Sequence, residues 1–286
     1  MGVATVLGAS ERIQTVPGTA LAPPQAAPVL PARPRTAPDL SLRPLRSVRP
    51  EDPPAGDFTD IGLLTRRPPE DGLSMAIPWE NERFRRFRQA YLTPGGRRWL
   101  ETLAARSVPY AAFVYESLRR HRLPEELFFL PVIESEWSPH AVSRSGAKGL
   151  WQFMRNSIAG FNMRVDDWVD ERRDFMKSTE AALRKLRFNY EALGSWEMAL
   201  AAYNCGLGAA RRAVAAGGTW DYWELSERGL LPPETISYVP KFLAAVSVLG
   251  RAGRNGLALP EGEPVRWERV ELDRPVDLAL LAEASG

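Results

Sequence analysis

Apolar residues recur three and four apart from Trp79 onward, and that spacing commits most of the chain to helices. Phe84, Phe87 and Tyr91 share one helical face. Thr93-Pro94 reads as an N-cap followed by proline at the first helical position. Ser107 with Pro109 predicts the start of another helix, carrying Phe113, Val114 and Leu118. Leu123-Pro124-Glu125-Glu126 predicts a third, with an acidic first turn that suits the helix dipole. It should run through Phe128, Phe129, Val132 and Ile133 and end at or near Glu134. Residues 138–148 form a loop by composition, and a short helical stretch is expected from Leu150. Ser178 suits the N-cap of a helix from Thr179 to Leu193, with Gly194 as its stop. Further helices are expected from Trp196 to Asn204, from Leu207 to Ala216 and from Pro233 to about Leu249, the last kinked by Pro240.

The two ends read differently. Eleven of the 25 prolines fall between Pro17 and Pro54. Residues 1–56 therefore read as a disordered Pro-rich arm, unable to bury enough apolar surface to offset the entropy of ordering. In the tail, Val265, Trp267, Val270 and Leu272 suggest one or two short strands, and Val276 to Ala284 a short helix. The fold class expected is mainly α with a short C-terminal β/α extension.

Composition removes several kinds of chemistry. Cys205 is the only cysteine, which excludes an intramolecular disulfide and any zinc site built on several cysteines. The two histidines, His121 and His140, form no HExxH pattern, so a His-rich metal site is not expected. No Gly-x-Ser-x-Gly elbow supports a serine hydrolase. A net charge of +2 gives no footing for nucleic acid. No run of about 18 apolar residues suggests a membrane span. Val3 to Ala9 is short and lacks a preceding basic residue, a poor secretory signal.

Glu134 is the residue that most suggests chemistry. Breaking a glycosidic bond needs a proton delivered to the leaving oxygen, and a Glu does this at neutral pH only when an apolar setting lifts its pKa to about 6. Phe128, Phe129, Val132 and Ile133 precede Glu134, and Trp137 follows. Glu136 competes for the role. On a continuous helix the two side chains diverge by about 200°, so both cannot enter one cleft. Periodicity does not choose between them.

A resemblance chooses. The string Glu134-Ser135-x-Trp137-x-Pro139 is followed by Ser143 and by Gly146-Ala147-x-Gly149-Leu150-Trp151-Gln152-Phe153-Met154. Ala202-Tyr203-Asn204 and Tyr238-Val239-Pro240-Lys241 come later. In that order they resemble the catalytic domain of the soluble lytic transglycosylases (SLT, family 1), a lysozyme-like helical fold. Asp170-Glu171-Arg172-Arg173-Asp174 and the segment Thr235 to Lys241 point to the membrane-bound lytic murein transglycosylase D branch. The resemblance covers about residues 80–250. It implies a helical lead-in over 57–122, the lysozyme-like catalytic domain over 123–250, and a truncated extension over 251–286. The branch often carries LysM repeats after the catalytic domain, and none is visible in this sequence.

The resemblance also implies roles. Glu134 is the single acid/base. Ser143 supports the sugar near the reacting centre, Gln152 hydrogen-bonds the glycan, and Met154 lines the cleft. Tyr203 and Asn204 frame the acid and the substrate. Tyr238 hydrogen-bonds Glu134 or a nearby sugar group. The implied substrate is the peptidoglycan glycan strand, cut without water to leave a 1,6-anhydro end, and the implied reaction needs no metal or cofactor. The implied location is the periplasm or cell envelope, with anchoring through a leader or anchor that this sequence lacks. Arg155, Phe175 and Cys205 depart from the branch pattern without removing a catalytic group. Cys205 is expected to be a buried small residue rather than a nucleophile. Two other readings stay open: a hydrolase using water through a second acid among Asp166, Asp167 and Asp170, and a non-catalytic glycan-binding module. The plainer expectation for those three acids is a solvated turn paired with Arg172 and Arg173.

Overall fold

The structure is a computed structural model. It describes residues 75–260 together with 276, 277, 279, 280 and 283. The Pro-rich arm and the expected strands near Val265 to Leu272 lie outside the described residues. In the tail, Ala279, Leu280 and Glu283 are helical.

Eight α-helices are described: α1 (Glu82–Leu92), α2 (Pro94–Arg120), α3 (Leu130–Glu134), α4 (Phe175–Leu193), α5 (Trp196–Cys205), α6 (Leu207–Gly217), α7 (Tyr222–Glu227) and α8 (Pro233–Leu249). Among the described residues, β-structure is limited to isolated bridges, including Val142–Lys148 and Lys148–Phe153. The fold is mainly α.

Caps fix several boundaries. Asn81 accepts a hydrogen bond from Phe84 N at 3.0 Å to open α1. Thr93 accepts from Gly96 N at 3.1 Å to open α2, with Pro94 in the first turn. Gly194 ends α4 in the left-handed region at φ 84°. Helix α5 is the centre of the domain: every residue from Met198 to Tyr203 is buried. Three of the ten residues from Trp196 to Cys205 are alanine, and such small side chains let α4, α6 and α8 close around it. Helix α1 lies along α8, and α3 packs against α8 as well.

The structure corrects several boundaries. No helix begins at Ser107: α2 runs unbroken through Pro109. An interior proline costs a helix about 3 kcal/mol. The buried stripe of Leu100, Leu103, Phe113, Val114 and Leu118 offsets that cost. Ser107 is buried and donates to Ala104 O at 2.7 Å instead of capping. The third helix is split into a 3₁₀ segment, Glu125–Phe129, and the short α3, with Pro131 in the first turn of α3. The stretch from Leu150 is a chain of turns rather than a helix, followed by a 3₁₀ turn at Arg155–Ser157. Helix α4 begins earlier than Thr179. Asp174 caps it by accepting from Met176 N and Lys177 N, both at 3.0 Å, and Ser178 is buried within it. Helix α7, capped by Asp221, has no counterpart in the sequence reading.

Candidate active site

Helix α3 stops at Glu134 because the next residues leave helical geometry. Pro131 O accepts from both Ser135 N at 3.1 Å and Trp137 N at 3.3 Å. Glu136 and Trp137 then take positive φ, 54° and 59°. Neither residue favours that region, so the turn holds local strain, of the kind that gathers at functional sites. Trp137 drops into the core, stacked on Tyr110 and tilted against Phe128. Glu136 is turned outward and pairs with Arg106 at 3.4 Å. The choice between the two carboxylates, undecided by periodicity, is thus made by a break in the helix.

Glu134 is half-buried. Its carboxylate accepts a short hydrogen bond from the Tyr238 hydroxyl of α8. Burial raises its pKa from 4.5 to about 7, against the lowering effects of the Tyr238 hydrogen bond and the Lys185 charge. Glu234 raises it and Lys241 lowers it, both more weakly. Burial also keeps Tyr203 and Tyr238 neutral, and the Glu134 charge acts in the same direction on both.

Tyr203 and Ser135 tie down the loop that follows the acid. The Tyr203 hydroxyl donates to Trp151 O at 2.8 Å, and Ser135 Oγ donates to Leu150 O at 2.8 Å. These two bonds bind residues 150–151 to the end of α3 and to α5. Asn204 takes a fixed amide orientation: Thr235 Oγ donates to its Oδ1 at 2.7 Å, and its Nδ2 donates to Glu234 Oε1 at 3.4 Å.

Ser143, Gln152 and Met154 form a second group on the segment 141–154. Ser143 Oγ accepts from Ala147 N at 3.0 Å and shapes the turn. Gln152 sits at φ 47° and donates to Gly149 O at 2.8 Å and Ala141 O at 3.4 Å. Met154 is half-buried and precedes the 3₁₀ turn at Arg155–Ser157. Gly149 is required here. It lies at φ 83°, and a Cβ would fall 1.7 Å from Arg172 O.

Arg172 anchors the same segment from below. It is 4% exposed and donates to Gly146 O and Phe153 O, each at 3.2 Å. Its guanidinium and Lys148 hold Asp170, at 2.7 Å and 3.1 Å, and keep that carboxyl well below the usual carboxylate range. Asp166 is lowered first by hydrogen bonds from Trp168 N and Val169 N, then by Arg164. The acidic turn is therefore paired with Arg164, Arg172 and Lys148 rather than with Arg172 and Arg173. Asp167 is exposed.

Of the departures from the branch pattern, Arg155 is exposed and donates to Val165 O at 3.4 Å. Phe175 packs against Tyr110 and Phe113. Cys205 is half-buried rather than buried, and burial pushes its thiol pKa up, away from reactivity.

Residues 112–226 match the family described as Transglycosylase SLT domain. Over that span the chain is similar to an SLT domain. All of α3 to α6 and the segment 141–154 fall inside that match, and α8 with Tyr238 lies just beyond it. The chain is also 36% identical over 222 residues to the membrane-bound lytic murein transglycosylase D of Escherichia coli (strain K12), covering 76% of this chain and 48% of the relative. It is 34% identical over 118 residues to a putative tributyltin chloride resistance protein of Alteromonas sp. (strain M-1), covering 41% of this chain and 56% of that relative. The chain thus spans about half the length of the curated relatives it matches. The mainly helical architecture is consistent with the helical fold that the SLT resemblance implies.

The sequence reading missed Lys185, Glu234 and Lys241, whose charges all act on Glu134. For Lys185 a signal existed. It lies four and three residues after Ala181 and Ala182, both fully buried, so a lysine shares the inward face of α4. Among the described residues, no helix is long and apolar enough to cross a membrane.

Proposed function

We propose that the chain cleaves peptidoglycan glycan strands as a lytic transglycosylase, with Glu134 as the single acid and then base. The observation that carries this reading is a carboxyl group raised to about 7 and hydrogen-bonded to Tyr238. At that value a large share of Glu134 is protonated at neutral pH and ready to donate. The SLT match and the name of the Escherichia coli relative supply the substrate class.

The reaction balances without water. Glu134 delivers its proton to the oxygen linking N-acetylmuramic acid to N-acetylglucosamine, and the C1–O bond breaks. Positive charge at C1 is shared by the acetamide of the same sugar. The C6 hydroxyl then attacks C1, and its proton passes to the Glu134 carboxylate. A 1,6-anhydro ring closes and Glu134 is protonated again. An internal hydroxyl carries a large effective concentration, which favours closure over capture by water.

Tyr238 orients Glu134, while Tyr203 and Asn204 frame the acid and the sugar. Ser143, Gln152 and Met154 line the glycan path on the segment 141–154. We assign the catalytic unit to residues 123–250, preceded in sequence by the lead-in over 57–122. A substrate outside the cytoplasm places the chain in the cell envelope.

The pH–rate profile tests the assignment of the acid. kcat/KM for lysis of purified sacculi is expected to fall about tenfold per pH unit above about 7, as Glu134 loses its proton. A rate that climbs through pH 7 to a plateau near pH 9 contradicts the role.

A further inference from the structure

Lys185 is a cation on the inward face of a helix, and the proposed reaction assigns it no task. Its Nζ lies 4.4 Å from the centre of the Tyr203 ring and 5.4 Å from that of Phe153. It donates to Tyr203 O at 3.4 Å. Two aromatic rings and a carbonyl attract the ammonium, so its position is defined by α5 and by the segment that carries Phe153. Both rings belong to the site: Tyr203 holds Trp151 O, and Phe153 lies between Gln152 and Met154.

We propose that Lys185 is a positioning residue whose ammonium, fixed against the Tyr203 and Phe153 rings, stabilises the Glu134 carboxylate left after proton delivery. The inference rests on the reading of Glu134 as the acid. The charged and titratable groups acting on Glu134 come from three helices: Lys185 from α4, Tyr203 from α5, and Glu234, Tyr238 and Lys241 from α8. Both tyrosines stay neutral, which leaves two cations against one carboxylate. Lys185 weighs more on Glu134 than Glu234 or Lys241 does. The coupling is mutual: burial pushes the Lys185 ammonium down, and the Glu134 charge pulls it back up.

The consequence is a balance. Burial alone makes Glu134 hold its proton, which suits an acid but hinders release. A fixed cation nearby lowers the energy of the carboxylate just when it forms. Because the ammonium is already held by protein groups, little reorganisation is needed at that moment.

The test is a titration of Glu134 itself, so it does not depend on turnover. Glutamate is labelled with carbon-13 at the side-chain carboxyl, and the Glu134 signal is identified by its loss in Glu134→Gln. In Lys185→Met the midpoint is expected to rise by about 0.5–1 pH unit, and in Lys185→Arg to stay within about 0.2 unit of the parent. The alkaline limb of sacculus lysis should move with it. An unchanged midpoint in folded Lys185→Met overturns the inference. Should that variant fail to fold, Lys185→Gln enters the same titration with the same expected rise, and no rise there overturns it. A rise in a chain that never lyses sacculi upholds the coupling while defeating the proposed function.

Discussion

Glu134→Gln is expected to cut the release of soluble fragments from purified sacculi by about 10³-fold or more, within or beyond the range for loss of a positioned general acid. The substitution keeps the side-chain shape. A glutamine Oε1 still accepts from the Tyr238 hydroxyl, so the α3–α8 contact that Glu134 makes is retained. What disappears is the transferable proton, needed once for the leaving oxygen and once for recovery from the C6 hydroxyl. Because one group serves both steps, no partner takes over half of the work. Asp170 and Asp166 are tied to cations and lowered, which makes them poor donors at neutral pH. The assay is run beside a melting curve at the same pH, so loss of activity is separated from loss of fold. A variant keeping more than about a tenth of the parent rate would move the acid away from Glu134.

The same substitution is expected to stabilise the protein at alkaline pH. The folded state raises Glu134 from 4.5 to about 7, so between those values it binds more protons than the unfolded chain. Stability from this group is therefore complete below about pH 4.5 and declines as pH rises to about 7. Above that the parent carries a charge in a site that disfavours it, and the glutamine variant does not. The variant should be more stable by about 3 kcal/mol at pH 8.5, roughly 6–12 °C in Tm, with the two converging near pH 4.5. Scanning calorimetry across that range reads the difference directly. Equal Tm values at every pH would mean that Glu134 titrates as an ordinary surface carboxylate.

These two effects belong together. A carboxyl group tuned to give up a proton near neutrality is one that the fold holds at a cost. The positive φ values of Glu136 and Trp137 belong to the same pattern, since they stop α3 at the acid and turn the next carboxylate outward.

Much of this was legible in the chain. Thr93-Pro94 and Gly194 are local signals that act through their own backbone, and the structure uses them as the sequence suggests. Ser107-Pro109 is locally just as plausible as a helix start, yet long-range packing of Leu100 to Leu118 carried α2 through it. Ser178 lost the cap of α4 to Asp174, whose carboxylate reaches two backbone N–H groups one turn earlier. The segment from Leu150 looks helical in sequence because its apolar residues, Leu150, Trp151 and Phe153, are all buried, yet they face the core from turns. Glu134 was marked by its apolar neighbours, but its separation from Glu136 depended on two left-handed residues that no periodicity contains. Lys185 acts on Glu134 from 51 positions along the chain, and only the packing of α4 on α5 brings it there.

The most direct test of the central claim is the mass of the fragments released from purified sacculi. The account predicts muropeptides ending in 1,6-anhydro-N-acetylmuramic acid, absent when Glu134→Gln replaces the parent. Fragments with reducing ends, heavier by one water, would contradict it and show that a water molecule rather than the C6 hydroxyl attacks C1.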